Sequence, residues 1–102
     1  MKPSLRSKLE KTADRFEEVG HLLADPAIAG SSAQFRELSM EYARLEAVAA
    51  GFRDYLALES ELAESQALAA DPDPEMRRMG EDEARRLAGV LGESGDALAR
   101  LL

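Results

Sequence analysis

Phe35, Leu38, Tyr42, Leu45, Ala49, Phe52 and Leu56 recur at alternating intervals of three and four, with charged residues between them and no proline. That spacing puts all of them in one stripe along a helix, the seam used in coiled-coil packing, and gives a strand no consistent face. The segment runs from about residue 32 to residue 70, flanked by Asp25-Pro26 on one side and Asp71-Pro72 on the other. Proline breaks a helix, and the residue before it avoids helical backbone. The chain is therefore expected to fold as three helices, at residues 4–24, 32–70 and 74–101.

The composition agrees with a helical core. Only three Val and one Ile occur among 102 residues, and the aromatics are three Phe and two Tyr, so packing must run through Leu and Ala rather than through the β-branched and aromatic residues that strands favour. A chain of this length supports one modest core, read as a single domain over residues 1–102. Cysteine is absent, which removes a disulfide framework and a thiolate metal site and suits a reducing cytoplasm, the expected location. No apolar run reaches the roughly 20 residues that span a bilayer, and residues 1–24 carry charge throughout, unlike a secretory leader.

The net charge of −7 is unevenly spread. Residues 1–25 hold five basic and five acidic side chains, residues 26–70 three and seven, and residues 71–102 five and eight. A domain-wide basic footprint for nucleic acid is excluded.

In the first helix Leu5, Leu9, Thr12, Phe16, Val19 and Leu23 form a second stripe able to mate with the central one, and Pro3 suits the first turn. Ser31 is the expected N-cap of the central helix, with Gln34 as its capping-box partner, and Gly51 weakens that helix by about 1 kcal/mol relative to Ala. Asp73, Pro74 and Glu75 make a strong start for the third helix. Its stripe of Met76, Gly80, Ala84, Leu87, Leu91, Ser94, Leu98 and Leu101 is interrupted by Gly89, Gly92 and Gly95, so a break is expected at residues 92–96.

The short linkers make both outer helices antiparallel to the centre. The expected fold is all-α, an elongated antiparallel three-helix bundle or coiled-coil-like hairpin with a long central helix. Overlap of the outer helices falls around residues 42–52, which leaves Phe35, Leu38, Leu98 and Leu101 partly uncovered and favours a weak two-fold dimer of the isolated fragment.

Nothing in the pattern is arranged for catalysis. Glu18-x-x-His21 has the spacing of one half of a di-iron carboxylate site, but His21 is the single histidine, so it reads as a residue of the last helical turn. Carboxylate pairs such as Glu37 and Glu41 read as solvated faces, and neither a Ser-His-Asp set nor a phosphate-cradling glycine loop is present. No catalytic, cofactor-binding or metal-ligating residue is expected. Lys8, Lys11 and Arg15 make a basic stripe at i, i+3 and i+7, able to contact phosphate, or to pair locally with Glu18 and keep the helix soluble.

Beyond this, Met1-Lys2-Pro3-Ser4, Lys8-Leu9-Glu10, Glu17-Glu18-Val19 with Leu22-Leu23 and Asp25, Phe35-Arg36-x-Leu38-Ser39-x-Glu41-Tyr42-Ala43-x-Leu45, and Asp73-Pro74-Glu75-Met76-Arg77 follow in one order along the whole chain. In that order and spacing they resemble the N-terminal helical domain of the bacterial peptide chain release factor 1 family. The resemblance implies a piece of a translation termination factor. In the family this domain docks at the ribosomal factor-binding entrance, near the GTPase-associated centre and the class-two release factor GTPase. The family's codon-reading Pro-x-Thr and hydrolytic Gly-Gly-Gln elements belong to later domains and do not occur in these residues, so the piece is not expected to act as an enzyme. It departs from the family at Gly89, Gly92 and Gly95. A free-standing coiled-coil adaptor unrelated to translation is the alternative, and Gly-Gly-Gln in the reading frame beyond Leu102 separates the two.

Overall fold

The computed structural model describes residues 1–102 and is all-α, with helices α1 Pro3–Leu23, α2 Pro26–Ala29, α3 Ser32–Leu68 and α4 Pro74–Leu101. The three long helices lie within two residues of the expected ends. The addition is α2, a single turn inside what the sequence marks only as a linker. Asp25 explains both its presence and the end of α1: as the residue before a proline it is extended, with φ −75° and ψ 123°, and its carboxylate accepts the Ala27 N–H at 2.9 Å. Pro26 then supplies a first helical position that needs no N–H, and Gly30 closes the turn.

Two compact units make up the chain, one of Met1–Phe52 with Leu101–Leu102 and the other of Arg53–Arg100. The first unit is a hairpin of α1, α2 and the N-terminal part of α3. Leu9, Val19, Leu38, Val48, Ala49 and Phe52 are buried in it, and Phe16 stacks on Tyr42 with ring centroids 4.4 Å apart. Leu38 is thus covered where the sequence suggested an uncovered tip, while Phe35 is exposed as expected. The eight residues between α1 and α3 cannot reach far, so α3 folds straight back onto α1 and its first turns are sheltered by that return.

The second unit pairs the rest of α3 with α4. Here the buried set is Tyr55, Ser65, Gly80, Leu87, Leu91 and Leu98. Leu56, the last member of the sequence stripe, is exposed, and Tyr55 takes the inward position instead. The packing face in this unit is set by where α4 docks, and the approach is tight at Gly80: a Cβ there would stand 2.4 Å from the Ala69 backbone N, 2.6 Å from the Leu68 carbonyl C and 2.8 Å from the Ser65 carbonyl O. A heptad pattern carries no information about that register.

The break expected at residues 92–96 does not occur, and α4 is continuous to Leu101. Leu87, Leu91 and Leu98 are all buried, each by about 1.5 to 3 kcal/mol of apolar transfer, against about 1 kcal/mol lost per helical glycine. Burial wins. Leu98 is accordingly covered, correcting the second expected bare tip, whereas Leu101 is exposed. At the start of α4 the sequence reading holds in detail: the Asp73 carboxylate accepts the Glu75 N–H at 3.0 Å, and its carbonyl accepts the Arg77 N–H at 2.9 Å.

Candidate interaction surface

Among the cations of α1 the structure separates two kinds. Arg15 is committed within the protein: Nε and Nη2 each donate to Glu41 at 2.7 Å, and Nη1 donates to Glu18 at 2.9 Å. The planar guanidinium fits a carboxylate bidentately, so this is a clamp between α1 and α3 rather than a loose pair. Lys8 and Lys11 lie on the exposed surface of α1, and neither ammonium forms an ion pair in the structure. The basic stripe is therefore two lysines with an arginine already spoken for.

Glu41 is the residue that sequence reasoning missed. On its own helix it looks like any solvated carboxylate, but its side chain is only 22% exposed because the return of α3 brings it against Arg15. The stripes of α1 and α3 together hold the signal, since the stacking of Phe16 on Tyr42 sets the register that places their preceding neighbours, Arg15 and Glu41, side by side.

Hydrogen bonding from Arg15, opposed by partial desolvation and helped by the charges of Arg15 and Arg44, holds the Glu41 carboxyl below the usual glutamate range. A carboxyl with a depressed folded-state pKa stabilises the fold fully above the unfolded value, about 4.3, and that contribution disappears as the pH falls through the folded value. Glu41→Gln is therefore expected to be less stable than the parent at pH 7, with the gap narrowing as the medium is acidified below the usual glutamate range. Urea midpoints across that acidification check this, and a gap independent of pH refutes it.

His21 is exposed in the last turn of α1, and Glu18, its partner in the Glu-x-x-His spacing, bonds Arg15 instead. No group of three or more His, Cys, Asp and Glu side chains converges on a point. In the second unit the turn into α4 is built by aspartates, with Asp71 accepting the Asp73 N–H at 2.8 Å. Along α4, Arg85 pairs with Asp82 at 3.5 Å, and Arg86 donates to both oxygens of Glu83, whose pKa it lowers. An open groove lined by Pro74, Glu75, Arg78, Met79 and Asp82 marks the outer side of the first turns of α4. No helix is long and apolar enough to cross a membrane.

These features define a class: a helical-hairpin protein whose polar groups serve caps, ion pairs and exposed charged faces. Within that class its family can be stated. The chain belongs to the PCRF domain family, a domain of peptide chain release factors, and the match covers residues 12–102. No solved structure matches it. The family places the chain in translation termination, and so in protein biosynthesis at the ribosome.

Proposed function

We propose that this domain is the docking module of a release factor, holding the factor at the ribosomal entrance beside the GTPase-associated centre while other domains read the stop codon and trigger hydrolysis. The observation that carries the reading is the family match over residues 12–102, nearly the whole chain. Rigid helical hairpins suit such a task, because a clamp such as Arg15 to Glu41 fixes the faces that a partner must find. The class-two release factor GTPase is a second partner at the same entrance, and the setting is cytoplasmic.

In this reading the domain contributes binding and no chemistry. The isolated chain is expected to give no peptidyl-tRNA hydrolysis on ribosomes programmed with a stop codon, since its residues include neither Gly-Gly-Gln nor Pro-x-Thr. Release above a no-factor control overturns the non-enzymatic assignment. Docking itself is tested by co-sedimentation of the chain with ribosomes and its displacement by an intact release factor. Failure to bind, or binding that the intact factor does not displace, favours the adaptor reading.

A further inference from the structure

All three lysines of the chain, Lys2, Lys8 and Lys11, fall in its first eleven residues. Residues 1–13 hold four basic side chains and one acidic, whereas the remaining 89 residues hold nine and nineteen. A protein of isoelectric point about 4.7 thus carries one basic segment, and that segment is the N-terminal half of α1.

Helix energetics do not account for this placement. The positive end of the helix dipole favours acidic residues, yet the first turn of α1 has none, and Lys2 at the N-cap makes no side-chain capping bond. Local pairing does not account for it either: Glu18 and Glu41 are held by Arg15, and although Glu10, Asp14 and Glu17 stand on the same helix, none of them forms an ion pair with Lys8 or Lys11 in the structure. Lys8 and Lys11 are exposed, carry no ion pair, and at i, i+3 share a face with Cβ atoms about 5–6 Å apart. Flexible ammonium stems at that spacing suit neighbouring phosphates as point charges.

We propose that Lys8 and Lys11 on α1 form a contact for the phosphate backbone of structured RNA, so that this end of the domain is the part that meets RNA when it docks. The assignment rests on the docking reading and names the chemistry of one partner surface. Neutralising two phosphates releases their counterions, which sets a quantitative expectation: the slope of log affinity against log salt becomes shallower by about 1.5 to 2 when both ammoniums are removed. The rest of the acidic surface repels the same backbone, so the contact is local and salt-sensitive.

The test compares the parent chain with Lys8→Gln/Lys11→Gln, binding each to purified large ribosomal subunits between about 50 and 200 mM salt. Far-ultraviolet circular dichroism confirms that both are folded. A slope shallower by about 1.5 to 2 in the variant, with affinity at least about tenfold lower at the low-salt end, supports the assignment. Equal slopes overturn it while docking stands. If the parent fails to bind subunits at all, the docking reading falls, and a second arm with a short RNA hairpin decides the surface alone: salt-dependent binding lost in the variant upholds the phosphate contact, and no difference between the two proteins overturns it.

Discussion

Phe52→Ala is expected to destabilise the protein by about 3 to 5 kcal/mol, a large part of the 5 to 15 kcal/mol typical of a domain. Phe52 is 3% exposed, so truncation removes a full aromatic transfer and leaves a cavity that helix backbones cannot close. Leu56→Ala is the informative control. Four residues on and in the same apolar stripe by spacing, Leu56 is 41% exposed, and its truncation should cost less than about 1 kcal/mol. Urea denaturation of the two variants gives both numbers. Similar midpoints would mean that α3 is rotated from the orientation described.

Gly80→Ala is the second large effect, and its sign is opposite to what helix propensity alone dictates. Ala is about 1 kcal/mol better than Gly inside a helix. At position 80, however, the new methyl would meet the backbone of the last turn of α3 and of Ala69 just beyond it at 2.4 to 2.8 Å, and backbone on both sides cannot swing away as a side chain does. Overpacking of this kind costs about 1 to 3 kcal/mol or more, so a net loss is expected. Gly89→Ala and Gly92→Ala make the matched comparison, since a Cβ at either meets nothing within 4 Å. Each should stabilise by about 0.5 to 1 kcal/mol. Thermal unfolding of the three variants reads the contrast directly, and a stabilising Gly80→Ala would show that α4 does not approach α3 so closely.

The three glycines of α4 that fall under these predictions also show where reading residues one by one misleads. Gly89 and Gly92 looked like helix breakers, but a glycine on an open face loses only its propensity, and buried leucines on the other face outweigh it. Gly80 reads in the sequence only as a member of the stripe, and it is the position that lets two helices touch. The difference between them lies entirely in what stands opposite, which is a property of the partner helix.

What the sequence by itself determined was the set of long helices and their ends. The three-four stripes, the two Asp-Pro pairs and the Asp73-Pro74-Glu75 start act over one or two turns, and local backbone physics is sufficient to read them. Residue order and spacing also carried the release-factor resemblance, and the PCRF match over residues 12–102 agrees with it. Tertiary structure alone decided that Tyr55 and not Leu56 turns inward, that Glu41 clamps Arg15, and that Lys8 and Lys11 are left unpaired. Each of these depends on the register between helices joined by a turn. That register is fixed by side-chain fit across the interface, by Phe16 on Tyr42 in one unit and by the bare Cα of Gly80 against the α3 backbone in the other, and no periodicity within a single helix encodes it.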